Sequence, residues 1–265
     1  LQDELQELGV HTLVPHEDAV KSRFKWNLSE LASRVGIKTP RTSVLYDTGQ
    51  LHPLDGWSWP LYVKGALADA EVANDEEEAA YLFKKMARKW GYPVMAQESR
   101  AGVEYLVAGV CGRNEVLGQV SVKKGITTST GKATTGVTVQ NKNLADVSAK
   151  ILGVLNWCGP FELEFMRDAT TGEFLLIEIN GRFPAWISFA NEIGKPIVRL
   201  AVEEACGLAP SPIDDAPAGI HFSRGHVQST GALNALGVWQ ALARVEANAR
   251  FKDDKSNDNK SEQMA

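Results

Sequence analysis

The sequence predicts an α+β fold in which antiparallel strands carry the chemistry and amphipathic helices cover them. Three stretches carry that prediction. Residues 159–182, GPFELEFMRDATTGEFLLIEINGR, alternate apolar and polar residues on both sides of Thr170-Thr171-Gly172, as two strands joined by a tight loop do. Val94–Gln97, Glu104–Val110 and Glu115–Lys123 read as strands of one antiparallel sheet. Residues 76–90 and the row Leu144, Val147, Ile151 and Leu155 have the period of helices.

The hairpin is the most informative of the three. If it is symmetric about Thr171, Glu164 lies opposite Glu178 and Glu162 opposite Asn180, on one face with Met166 and Leu176. The other face then holds Phe161, Leu163, Phe165, Leu175, Ile177 and Ile179, with no polar residue, and must be buried. Like charges facing each other across a ladder destabilise it by up to about 1 kcal/mol. Glu162, Glu164 and Glu178 at one end of a hairpin therefore imply a counter-charge, unless the face is simply wet. Two carboxylates and an amide offer oxygen ligands only, which suit a hard cation such as Mg²⁺ that shares its shell with phosphates.

Composition sets the outer limits. The 265 residues are 44% hydrophobic and 23% charged, ordinary for a globular protein able to bury a full core. No apolar run approaches the roughly 18 residues of a membrane span. The net charge is −5 and the basic residues form no stripe, so neither a nucleic acid nor a membrane is an expected partner. Cys111, Cys158 and Cys206 are widely spaced and odd in number, as reduced thiols of a cytoplasmic protein would be.

The elements follow in order. Leu1, Leu5 and Leu8 have helical spacing, and His11–Pro15 reads as a short strand. Asn27 caps a helix with Leu28, Leu31, Ala32 and Val35 inward, stopped by Gly36. Ser43–Tyr46, Pro60–Gly65 and Glu71–Ala73 are short strands, with loop at 51–59. Asn74 or Asp75 caps the 76–90 helix, whose Glu76-Glu77-Glu78 run suits the positive end of the helix dipole. After the Thr- and Gly-rich segment 125–136 comes a strand at Val137–Gln140. Pro196 opens a last helix that Gly207 ends; the proline-bearing stretch 209–218 is a linker, and the polar stretch 249–265 is disordered.

Three further places carry chemistry. Lys64 breaks the apolar run PLYVKG at a strand end; such a lysine either snorkels at an edge or is a fixed ammonium reaching a phosphate. VMAQESRAGVEYLV (94–107) has the shape of a plain hairpin or of an interdomain hinge, with Glu104 free for ribose hydroxyls. Lys123-Lys124 and Lys132 bracket GITTSTG, either an exposed loop or a phosphate lid.

In this order, Lys64, the hinge 97–104, the basic loop 123–132, and Glu164 with Glu178-Ile179-Asn180-Gly181-Arg182 resemble the ATP-grasp superfamily over roughly residues 21–207. The phrase IEINGRF is similar to the carbamoyl-phosphate-synthetase and biotin-carboxylase branch, with Gly181 where the motif E-x-N-P-R has proline. The resemblance implies an ATP-grasp fold of two α+β subdomains clasping the nucleotide: a smaller lid (55–125) and a larger body (21–54 and 126–207). Residues 1–20 would be the remnant of a preceding α/β domain and 208–248 a C-terminal extension. It implies ATP and Mg²⁺ (or Mn²⁺) as cofactors, with Glu164, Glu178 and Asn180 as metal ligands. Lys25 and Lys64 would contact the nucleotide, Gln97, Glu98 and Arg100 would form its hinge, and Glu104 would bind ribose. Arg182, with Lys123 or Lys132, would stand near the transferred phosphate. Two departures matter: GALADAEVAND (65–75) has only Gly65 where a Gly-rich phosphate loop is common, and Gln97 stands where Glu is common. With so little glycine at 65–75, phosphate closure is expected either to be weaker or to pass to 125–136, a segment then mobile until Mg-ATP orders it.

The implied reaction activates a carboxylate as an acylphosphate for attack by an amine, on small-molecule or peptide substrates. A bicarbonate-activating enzyme and a nucleotide-binding module without turnover are the alternatives. A homodimer is among the assemblies the sequence allows.

Overall fold

The computed structural model describes residues 2–54, 56–113, 115–128, 131–224 and 228–232. Its order is α1 (Gln2–Glu7), α2 (Glu17–Ser22), α3 (Leu28–Val35), β1 (Thr42–Leu45), β2 (Leu61–Lys64), β3 (Ala70–Ala73), α4 (Glu76–Trp90), β4 (Val94–Glu98), β5 (Gly102–Cys111), β6 (Val116–Lys124), β7 (Thr135–Thr138), α5 (Lys142–Val154), β8 (Gly159–Asp168), β9 (Phe174–Asn180), α6 (Ser188–Glu192), α7 (Ile197–Ala205), β10 (Ile220–Arg224) and β11 (Gln228–Ala232). A 3-10 turn, Lys25–Asn27, leads into α3.

The strands form two antiparallel sheets. The smaller has the order β1-β4-β2-β3, the larger β11-β10-β7-β6-β5-β8-β9. In the small sheet Leu61, Val63, Val94 and Ala96 pack against Leu82, Phe83 and Met86 of α4. Alternation therefore turns Tyr62, Lys64, Met95 and Gln97 to the opposite face. α4 begins where its cap predicts, the Asp75 side chain accepting the Glu78 amide at 2.8 Å.

The large sheet has an apolar core on each face. Phe161, Leu163, Phe165, Leu176 and Ile179 meet α3 and α5 on one side. Leu106, Ala108, Val120 and Val122 meet Trp186, Phe189, Ile197, Leu200 and Phe222 on the other. Across the β5–β8 ladder Leu106 faces Glu164 and Ala108 faces Glu162, so the acids share the second face.

Several expectations are corrected. β4 does not join β5 and β6; the chain crosses from one sheet to the other at Ser99–Ala101. Alternation cannot show this, because a short connection between antiparallel partners and one between sheets look alike in sequence. β1 lies in the small sheet, while β5 and β6 lie in the large one. β7 sits two residues earlier than the strand expected at Val137–Gln140. His11–Pro15 forms no strand; it runs unpaired past Gly159, where a Cβ would lie 2.6 Å from the Leu13 carbonyl oxygen.

The hairpin keeps its acidic register, Glu164 opposite Glu178 and Glu162 opposite Asn180. A bulge between Glu164 and Phe165 then pairs Phe165 with Leu176, so Leu176 joins the core under α3 and α5, while Leu175 is buried outside that cluster. The stretch 209–218 is a packed strap, with the Ile213 amide on the Leu117 carbonyl at 2.9 Å and Ala216 buried. Beyond it β10 pairs with β7, so part of the 208–248 extension completes the large sheet. The stretch 249–265 lies outside the described residues, among which no helix is long and apolar enough to cross a membrane.

Candidate active site between the two sheets

The acidic end of the β8–β9 hairpin meets four cations. Lys25, on the 3-10 turn, places Nζ 3.5 Å from Glu178 Oε1. Lys124, whose side chain is only 7% exposed, pairs with Glu104 and stands 3.9 Å from Glu164 Oε2. Arg182 Nη1 donates to Glu162 Oε2 at 2.8 Å. Lys64 comes from the small sheet, 7% exposed, under the combined influence of Glu178, Glu164 and Glu104. A lysine that merely snorkels would keep its ammonium in water, whereas this one is buried within reach of the charges of three carboxylates of the other sheet, which favours the fixed ammonium.

Charge and burial pull these groups away from their ordinary protonation. Burial first, and then the charge of Lys25, lowers Lys64 from 10.5 to about 8, against the opposing pull of Glu178, Glu164 and Glu104. Glu164 is pushed up from 4.5 to about 7 by burial, then by Glu162 and Glu178; Lys124 opposes the shift and Glu104 adds to it. Glu162, buried, is also raised by burial, while Arg182 and the Trp186 indole hold it down. Its carboxylate accepts from Arg182, from Trp186 Nε1 at 3.3 Å and from Asn180 Nδ2 at 3.4 Å.

Among the described residues no cluster of three or more His, Cys, Asp or Glu side chains makes a ready-made metal cage. The donors instead fit a hard cation that completes its shell with water and phosphate: Glu164 opposite Glu178, with Asn180 two residues further along β9. The Glu164 carboxyl is raised first by burial and then by the charges of Glu162 and Glu178, which a dication would neutralise. Asn180 Nδ2 donates to Glu164 Oε1 at 3.2 Å, so offering its oxygen to a metal requires a half-turn of the amide.

Other expected site residues stand elsewhere. Gln97 shares the Lys64 face and donates Nε2 to Thr42 Oγ1 at 2.9 Å. Glu98 turns its side chain the other way, to the Arg41 amide and guanidinium, both at 2.9 Å, which leaves only its backbone for a hinge role. Lys123 is corrected: it is exposed and pairs with Tyr105, off the acid face, and Lys124 takes the inward place. Lys132 is exposed on the loop beyond β6. That loop folds back on itself, with Thr128 N on the Lys132 carbonyl at 2.9 Å and Thr134 N on the Ile126 carbonyl at 2.8 Å. These bonds satisfy backbone groups of its described residues without a ligand.

Arg100 is likewise diverted. Its Nε and Nη2 donate to Asp168 Oδ2 at 2.8 and 2.7 Å, while Asp168 Oδ1 accepts the Thr170 and Thr171 amides at 2.9 and 2.8 Å. The Thr171 and Thr170 amides and Arg100 together hold Asp168 down at about 2. Arg100 thus ties the intersheet connection to the hairpin tip. Arg100→Ala is expected to lower the melting temperature while leaving the ATP KM within about twofold, since the lost bonds are structural; a tenfold rise in KM would restore the hinge role. Sequence reasoning named Lys124 only as a flank of the loop and missed Trp186; the usable signal for Lys124 was its parity with Val120 and Val122.

No protein-family model and no curated protein sequence matches the chain. Solved structures do. The biotin carboxylase domain of Hydrogenobacter thermophilus 2-oxoglutarate carboxylase, in complex with MgADP, ADP and bicarbonate, is 16% identical with a TM-score of 0.68 over 83% of this chain and 54% of that one. An L-amino acid ligase from Bacillus licheniformis is 16% identical at TM-score 0.63, over 83% of this chain and 57% of that one. D-alanine–D-alanine ligase from Bacillus anthracis, complexed with ATP, is 15% identical at TM-score 0.60, over 78% and 74%. The chain therefore spans a little over half of the first two. With its two antiparallel sheets facing each other across a short connection, the chain has the ATP-grasp fold.

Proposed function

We propose that this chain is the nucleotide-binding core of an ATP- and Mg²⁺-dependent carboxylate–amine ligase. The observation that carries the reading is the buried Lys64 of the small sheet set against Glu164, Glu178 and Glu104 of the large one, with Lys25 and Lys124 beside them. Cations stand among the carboxylates of the large sheet and one faces them from the small sheet, a distribution that suits a metal-bound triphosphate.

Lys64 holds the α- and β-phosphate oxygens from the small-sheet side, and Gln97 presents its amide to the base. Glu104 lies at the start of β5 for the ribose. Glu164, Glu178 and Asn180 would hold Mg²⁺, which would supply neutralisation of charge on the phosphates. The carboxylate oxygen attacks the γ-phosphorus, the bond to the β–γ bridging oxygen breaks, and ADP leaves. The amine nitrogen then attacks the acyl carbon, phosphate departs and the surplus proton on nitrogen passes to water. Arg182, fixed by Glu162, faces the transferring group. The protein's contribution is position and charge rather than covalent chemistry.

ADP release against a panel of carboxylate and amine pairs tests the reading. Full turnover is expected only when both substrates and Mg²⁺ are present. Equal release with bicarbonate alone would favour a bicarbonate-activating enzyme. ATP binding without release under any condition would make the chain a binding module.

A further inference from the structure

Gln97 meets the cleft with one end of its amide already engaged. Thr42, Gln97 and Tyr62 are direct partners across β1, β4 and β2 on the cleft face of the small sheet, with Met95 and Lys64 in the next row. Gln97 is buried and donates Nε2 to Thr42 Oγ1 at 2.9 Å. Thr42 Oγ1 in turn donates to the Pro40 carbonyl at 3.0 Å. A hydroxyl has a single proton, so with that proton on Pro40 its oxygen can only accept. The bonds therefore run one way, from Gln97 through Thr42 to Pro40.

The direction matters because the two ends of a glutamine amide have nearly the same shape, and only their partners decide which end faces where. The reversed amide would claim the Thr42 proton and break the bond to Pro40. In the bonded orientation Oε1 is the end left over; it has no hydrogen-bond partner among the described residues and is not sealed from solvent. A carboxylate at this place would be an acceptor at both ends and would need no such device. With Gln97 where Glu is common in the superfamily, the orientation has to be imposed by a neighbour, and Thr42 is placed to impose it.

We propose that Thr42 is a positioning residue for base choice: by holding the Gln97 amide with its oxygen free, it selects a purine with an amino group at C6 over one with a carbonyl there. The amino group of adenine donates to Oε1, whereas the C6 oxygen of guanine or hypoxanthine would set two acceptors against each other. Thr42 acts only through Gln97. That a base lies at Gln97 rests on the ligase reading, in which Lys64 takes the phosphates. Gln97 and Lys64 stand one strand and one row apart on the same face, about 7–8 Å for diagonal neighbours, a distance that one nucleotide spans.

The test is calorimetric titration of wild type, Thr42→Val, Thr42→Ser and the double variant Thr42→Val with Gln97→Glu, each with Mg-ATP and with Mg-ITP, whose base is hypoxanthine. Wild type should bind ATP at least about tenfold more tightly than ITP, the worth of one hydrogen bond made rather than opposed. Thr42→Val keeps the shape but frees the amide to turn, so that preference should shrink about fivefold or more, with ITP gaining affinity. Thr42→Ser, which keeps the hydroxyl, should retain the preference. Adding Gln97→Glu to Thr42→Val should restore it, because a carboxylate has no donor end to offer the C6 oxygen. Thermal melts establish that each variant is folded. A purely structural Thr42 would weaken both nucleotides by the same factor and leave their ratio unchanged in Thr42→Val. That result, or a wild type that binds ATP and ITP equally, would overturn the proposal while leaving the ligase reading intact. Binding of neither nucleotide by the folded wild-type chain would bring down both.

Discussion

Lys64→Met should weaken ATP binding about a hundredfold while leaving the fold intact or firmer, because it removes the buried ammonium that would meet the phosphates but keeps the side chain's volume. The direction of the stability change follows from the lowered pKa. A lysine at about 8 when folded and 10.5 when unfolded opposes folding fully below pH 8, and that opposition fades as pH rises toward 10.5. Methionine removes it, so the variant should melt no lower than wild type at pH 7. The same shift predicts that ATP affinity of the wild-type chain falls as pH rises through about 8, where the free protein loses the ammonium that the triphosphate needs. Calorimetric titration from pH 6.5 to 9.5 measures this. A flat profile, together with unchanged affinity in Lys64→Met, would return Lys64 to an ordinary edge residue.

Glu164→Gln should abolish Mg²⁺-dependent turnover, by at least about 100-fold, yet stabilise the metal-free protein above neutral pH. The carboxyl titrates near 7 when folded and 4.5 when unfolded, so the folded state favours its protonated form. It therefore weakens the fold increasingly between pH 4.5 and 7, and fully above 7. The upper limit of that effect is on the order of 3 kcal/mol. Partial exposure to solvent reduces it, and a gain on the order of 1 kcal/mol, or about 2–4 °C in melting temperature, is the expected result at pH 8. The gain should disappear below pH 4.5. Melting curves in chelator across that range decide the matter, and a variant that melts lower than wild type at pH 8 would mean that Glu164 is stabilised by its neighbours rather than crowded by them.

The hairpin was the part of the site most legible in the sequence, because a two-residue period fixes which side chains share a face. Glu162, Glu164, Glu178 and Asn180 stand in the register that counting from Thr171 gives. Counting failed past Glu164, where the bulge puts Leu176 rather than Leu175 in the cluster under α3 and α5, since an extra residue in one strand leaves no mark in the alternation. Parity also decided between Lys123 and Lys124, but only once Val120 and Val122 were known to share the acid face. Arg100 and Arg182 show the other limit. Both are cations next to informative motifs; which of them meets Asp168 and which Glu162 depends on contacts 68 and 20 residues away. The same holds for β4, whose composition suits either sheet and whose place is set by pairing with Thr42–Leu45 and Leu61–Lys64.

The central claim is that Lys64 and the Glu164–Glu178 pair meet across the two sheets to hold a metal-bound triphosphate. Equilibrium titration with ATP, with and without Mg²⁺, in wild type, Lys64→Met and Glu178→Ala tests it most directly. Saturable binding that strengthens with Mg²⁺ in wild type, loses its Mg²⁺ dependence in Glu178→Ala and weakens about a hundredfold in Lys64→Met is the predicted result. ATP binding indifferent to Mg²⁺ and to both substitutions, or no binding by the folded wild-type chain, would contradict it.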